Sequence, residues 1–119
     1  MLIKSPDKAG AEAILLAELT KGLDALPDGE QVMLKVTIPE RADLYAPLIA
    51  HKNVTRVVAL SGGYSREEAC AKLAHNHGMI ASFSRALAEG LKRSMSDAEF
   101  NEELTEAVDE IYEASTVKV

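Results

Sequence analysis

The chain has 119 residues, 47% apolar and 27% charged, with 13 Lys and Arg against 19 Asp and Glu for a net charge of −6. That length suits one ordinary domain with a modest core, and the acidic balance argues against nucleic acid or an anionic membrane surface as a bulk partner. No run reaches the ~18 apolar residues of a membrane span, the start Met1–Pro6 lacks a signal-peptide layout, and the single cysteine, Cys70, excludes an internal disulfide and suits a reducing cytoplasm.

Strands and helices alternate along the chain. Ser5-Pro6-Asp7 opens a helix with a cap candidate, a proline at the first helical position and an acid in the first turn. The helix spans roughly residues 6–25, with Ile14, Leu15, Leu19 and Leu23 on one face. After the Pro27-Asp28-Gly29 turn, Val32-Met33-Leu34-Lys35-Val36-Thr37-Ile38 reads as a strand buried on both faces, closed by Pro39. Residues 41–50 form a short helix. Val54–Leu60 is a second buried-type strand, broken by Ser61-Gly62-Gly63.

Ser65-Arg66-Glu67-Glu68 is a capping box for a helix running to about Asn76, which Gly78 ends. Residues 79–83 are a third strand candidate, and Arg85 to Leu91 is helical in pattern. A second capping box, Ser96-Asp97-Ala98-Glu99, opens a final helix with Phe100, Leu104, Val108 and Ile111 on one stripe and an acidic run, Glu99 to Glu113, on the wet side. Parallel strands need helical crossovers of this kind, so the class is α/β. The strand spacing suits a (β/α) barrel, but a barrel needs eight units and about 250 residues. An open three-stranded sheet leaves two edges and one face poorly covered. The chain is therefore expected to be a single partial domain over residues 1–119, which assembles with other copies or completes a larger barrel.

Chemistry-bearing residues fall at the carboxyl ends of the three strands. Lys35 sits inside the first. Burial there would strip its ammonium of water, lower its pKa and make a Schiff-base nucleophile. The plain alternative is a strand-edge lysine that snorkels to water or discourages aggregation. Ser61, Gly62 and Gly63 follow the second strand, and Ser84 and Arg85 open the helix after the third. Glycine amides, a helix start and an arginine fork together make a cradle for one phosphate monoester. His75 and His77 mark a helix end, where His is favourable against the dipole, and no metal site is expected. Cys70 lies mid-helix and is read as packing.

These stretches, Val32–Pro39, Val57–Ser65 with Arg66-Glu67-Glu68-Ala69, and Ile80–Leu87, resemble class I fructose-bisphosphate aldolase in its short bacterial form. The resemblance runs from about Ser5 to Ser115. It implies a TIM barrel, of which this chain corresponds to the carboxyl-terminal part, about strands six to eight with their helices. It also implies cleavage of fructose 1,6-bisphosphate to dihydroxyacetone phosphate and glyceraldehyde 3-phosphate, with no cofactor and a sugar phosphate as ligand. By motif, Lys35 matches the Schiff-base lysine, Ser61 and Gly62 the phosphate loop, and Arg85 the phosphate-binding arginine. Ser82 falls near the same phosphate, and Ser84 stands where animal-type enzymes carry glycine. The family's acid/base glutamate, its catalytic aspartate and its second lysine lie on strands matching nothing here. The resemblance therefore implies little turnover for these residues alone. The competing readings are another Schiff-base phosphate-binding barrel, such as a transaldolase-like enzyme, and a non-catalytic truncated or assembly module.

Overall fold

The computed structural model describes residues 5–119. Its elements run α1 (Lys8–Asp24), β1 (Val32–Thr37), α2 (Ala46–Ile49), β2 (Val54–Leu60), α3 (Arg66–Ala74), β3 (Ile80–Ala81), α4 (Arg85–Ala88) and α5 (Asp97–Thr116). The strands form one parallel sheet in the order β1-β2-β3. Parallel pairing puts all three carboxyl ends on one edge of the sheet. The connections β1–α2–β2 and β2–α3–β3 are helical crossovers, as parallel neighbours require.

Register fixes which residues share a face. Lys35 pairs with Val58 and Val58 with Ile80, while Thr37 pairs with Leu60 and Met33 with Arg56. Paired residues in parallel strands point the same way, and successive residues alternate. One face therefore carries Val36, Val57 and Ala59, all buried against the helices with Leu48, Leu73 and Met79. The other carries Met33, Lys35, Arg56, Val58 and Ile80, none of them buried, with Met33 63% exposed. The radius of gyration, 16.0 Å, exceeds the roughly 13.5 Å of a closed domain of this length, in keeping with a sheet covered on one side.

This corrects the sequence reading of β1. Its pattern predicts burial on both faces, yet every second residue meets water, because no described element covers the second face. Several boundaries also shift. The helix expected over residues 41–50 shrinks to Ala46–Ile49, after turns at 42–45. Helix α1 starts at Lys8. Ser5 sits upstream, its Oγ accepting from the Asp7 N–H (3.2 Å) rather than capping the helix. Ile14 points to solvent at 68% exposure, so the inner face of α1 is Leu15, Leu19 and Leu23. The third strand holds only Ile80–Ala81, and α4 only Arg85–Ala88.

Helix α5 turns its small residues inward. Ala107 and Ala114 are buried while Phe100 and Val108 are exposed, which reverses the expected stripe at those positions. Alanines seven apart let α5 lie close along α3 and β3. Both predicted serine caps form. Ser65 Oγ accepts from the Glu68 N–H and Ser96 Oγ from the Glu99 N–H, each at 3.2 Å. Among the described residues no helix is long and apolar enough to cross a membrane.

Candidate functional site

The β1 residue Lys35 lies two positions before that strand ends at Thr37, on the uncovered face. It is exposed, so the desolvation expected of a doubly buried strand is not present. Beside it runs a groove of about 270 Å³ along the outer edge of β1, lined also by Leu15, Leu19, Leu34, Thr37 and Leu60. The side chain of Ser82, one residue past β3, falls on the same face as Lys35 by strand alternation from Ile80. Its main chain is already engaged, the Ser82 N–H donating to the Ala59 carbonyl at 2.7 Å. Only the Ser82 hydroxyl remains for a ligand.

The loop after β2 is a tight turn. The Tyr64 N–H donates to the Ser61 carbonyl at 3.1 Å, and Gly62 and Gly63 sit at φ 65° and 96°. Two successive positive φ values at the central positions define a type I′ geometry, which glycine adopts without a Cβ penalty. The closing bond uses the Tyr64 amide, so the Gly62 and Gly63 amides at the tip are not consumed by it. Ser61 is buried at 4% exposure and roots the turn. This much agrees with a backbone anion cradle.

The third loop fits the expected cradle less well. Ser84 and Arg85 are exposed, and Ser84 makes no side-chain cap. Because α4 is a single turn, it offers almost no aligned dipole, so the helix-start charge expected there is lost as a contributor. What remains is the exposed Arg85 side chain after β3, at the same edge of the sheet. The three loops thus share one rim. With a rise of ~3.3 Å per residue, the backbone of Lys35 lies about 10 Å below the level of Ser61, a gap that a lysine side chain and a small sugar phosphate together span.

The sequence reading missed a buried polar cluster beside this rim. Lys8 and Glu12, at 2% and 0% exposure, sit on the inner side of α1. Lys8 Nζ donates to Glu12 Oε2 (3.2 Å) and to the Ile38 carbonyl (2.7 Å), and lies 3.4 Å from Glu40 Oε1. Glu12 Oε1 accepts the Glu40 N–H at 3.0 Å. The Tyr64 hydroxyl donates to Glu40 Oε1 at 3.3 Å, and Lys72 Nζ lies 5.0 Å over the Tyr64 ring. Burial alone would raise the Glu40 pKa. The Lys8 charge, hydrogen bonds from Lys8 and Tyr64, and the Lys72 charge outweigh it and hold the carboxyl below its ordinary range. Tyr45, fully buried, has no hydrogen-bond partner for its hydroxyl among the described residues. Burial and the Glu12 charge push its pKa up to about 12. In sequence, Lys8 and Glu12 look like an ordinary exposed i,i+4 pair, and only the burial of their helix face gives them away.

Elsewhere, Arg66 donates to Glu110 (2.9 Å) and to the Glu89 carbonyl (3.0 Å) and lies 3.7 Å from Glu103, so two members of the acidic run pair with it while staying partly exposed. The Cys70 thiol is buried, which pushes its pKa up to about 11 against a small opposing pull from Arg66, as befits packing. The His77 N–H and Nδ1 both meet Asp43, at 2.7 and 3.0 Å. No group of three His, Cys, Asp or Glu at metal-binding distance occurs among the described residues.

No family model matches the chain. Fructose-bisphosphate aldolase class 1 of Synechocystis sp. is 56% identical to it over 113 residues, 95% of this chain. The chain is thus similar to a class I fructose-bisphosphate aldolase. It spans 38% of that aldolase's length.

Proposed function

We propose that this chain supplies the Schiff-base and phosphate-holding part of a class I fructose-bisphosphate aldolase, as about strands six to eight of a TIM barrel, acting in the cytoplasm. The observation that carries this is the identity of 56% to an aldolase across almost the whole chain, together with one shared rim for Lys35 and the glycine turn. In the completed site the Lys35 amine attacks the substrate ketone, loses water and becomes an iminium. The iminium withdraws electrons, the C3–C4 bond breaks, and an enamine remains. The iminium is itself the electron sink, so the reading calls for no metal or cofactor.

Ser61, Gly62, Gly63, Ser82, Ser84 and Arg85 hold the substrate phosphate and so fix the carbonyl against the amine. The open sheet face fits this reading, because the water that now reaches Lys35 would be displaced by the remaining strands. General acid/base groups are worth about 10²–10⁴-fold each, and the family places them on strands that these residues do not include. The 119-residue chain on its own is expected to show little or no turnover and slow Schiff-base formation.

Borohydride reduction in the presence of dihydroxyacetone phosphate, followed by peptide mass spectrometry, tests the reading. An adduct on Lys35 supports it. Adducts spread over other lysines, or none on folded protein, contradict it. Competition by other sugar phosphates separates this activity from a transaldolase-like one. The exposed Met33 and Tyr112 (63% and 68%) favour one further reading, a non-catalytic assembly module. A stable oligomer by size exclusion, with no trapped adduct, would select it.

A further inference from the structure

We propose that Glu40 is a positioning residue that couples the loop after the Lys35 strand to the glycine turn after β2. The inference deepens the aldolase reading and rests on it for the identity of the ligand, though not for the coupling itself. Glu40 lies three residues past the end of β1, and its backbone is pinned by the buried Glu12 through the 3.0 Å bond from the Glu40 N–H. Its carboxylate is drawn by Lys8, itself immobilised between Glu12 and the Ile38 carbonyl. Because Lys8 and Glu12 are buried, neither can follow an exposed loop, so they anchor Glu40 to the α1–β1 junction.

From that anchor Glu40 Oε1 accepts the Tyr64 hydroxyl. Tyr64 is the residue whose amide closes the Ser61–Tyr64 turn. A type I′ turn has two ends, and here one is rooted by buried Ser61 while the other is tethered through the Tyr64 ring. Lys72 Nζ, 5.0 Å over the ring, adds a second contact that holds it in place. The direction in which the Gly62 and Gly63 amides point is therefore set jointly by Ser61 and by Glu40, a residue of the neighbouring loop. Glu40 makes no claim on substrate itself and acts through the turn.

The experiment is a double-mutant cycle on the full chain with Glu40→Ala, Tyr64→Phe and the double variant, read by hydrogen exchange of the residue-64 amide that closes the turn and by NMR shifts of Gly62 and Gly63. Both sites are only partly buried, and far-UV circular dichroism checks that each variant stays folded. Each single variant is expected to speed exchange at the residue-64 amide by about fivefold, the size of one ordinary hydrogen bond, and to shift the Gly62 and Gly63 signals. The double variant is expected to add nothing further, because both remove the same tether. Additive effects, or unchanged exchange at the residue-64 amide in either variant, overturn the coupling. A parallel titration with inorganic phosphate keeps the two ideas apart. Wild-type binding at Gly62 and Gly63, weakened about fivefold in both single variants, supports the inference. Binding that is equal in all four proteins overturns the coupling and leaves the phosphate reading intact. Absence of wild-type binding with non-additive exchange overturns the phosphate reading and leaves the coupling intact.

Discussion

Replacing Lys8 with methionine should be the most damaging single change to this fold. Methionine fills a similar volume, so packing is largely kept and the loss is electrostatic. The Glu12 carboxylate, at 0% exposure, would keep one bond from the Glu40 amide but lose the ammonium 3.2 Å away. The Ile38 carbonyl would lose its 2.7 Å donor. Breaking a buried ion pair by removing one partner costs about 3–5 kcal/mol. A chain of this length has a total stability of about 6–18 kcal/mol. With a urea slope of about 2 kcal/mol per molar, the midpoint should fall by about 2 M. The double variant Lys8→Met/Glu12→Gln removes the stranded charge while keeping an oxygen for the Glu40 amide, and should recover most of the loss. Urea denaturation followed by circular dichroism measures both. A cost below about 1 kcal/mol for Lys8→Met, or no recovery in the double variant, would refute the claim that the pair is buried and mutually dependent.

Two further changes follow from single groups. Tyr45→Phe deletes a buried hydroxyl without a partner and should stabilise the chain by about 1 kcal/mol at neutral pH. Because the folded Tyr45 pKa is raised from 10.0 to about 12, the folded state holds the proton more tightly. Wild-type stability therefore falls as pH rises from 10 towards 12, by about 1.4 kcal/mol per unit at most, and Tyr45→Phe should flatten that alkaline limb in pH-dependent denaturation. Ser65→Ala removes the oxygen that caps α3 through the Glu68 amide. It should cost about 1 kcal/mol, a drop of about 3–6 °C in thermal midpoint.

The sequence made some elements legible because their signals are local. Strand β2 matches the predicted Val54–Leu60, since a β-branched run ends at a serine and two glycines. The two capping boxes predict the starts of α3 and α5, because serine and glutamate at that spacing satisfy the helix's own orphan amides. The failures were all matters of tertiary context. Lys35 sits in a run whose composition asks for burial on both faces, and composition cannot state that no described element covers the second face. Phe100 and Val108 fit an apolar stripe, yet Ala107 and Ala114 take the inner side, because close approach to α3 favours small side chains there. Lys8 and Glu12 read as solvent-facing charges, and their burial depends on where α1 meets the end of β1. The rim residues were located by their positions at strand ends, which topology fixes. Their electrostatic surroundings, Glu40 and Tyr64 above all, come from side-chain packing that no spacing rule encodes.

The central claim is that Lys35 and the rim loops serve one phosphorylated ketone. It is tested most directly by comparing borohydride trapping of dihydroxyacetone phosphate with that of unphosphorylated dihydroxyacetone, in the wild-type chain and in Arg85→Ala. A Lys35 adduct that forms faster with the phosphorylated ketone, with that preference lost in Arg85→Ala, is the predicted result. Equal trapping of the two ketones, or a preference indifferent to Arg85, would contradict the account.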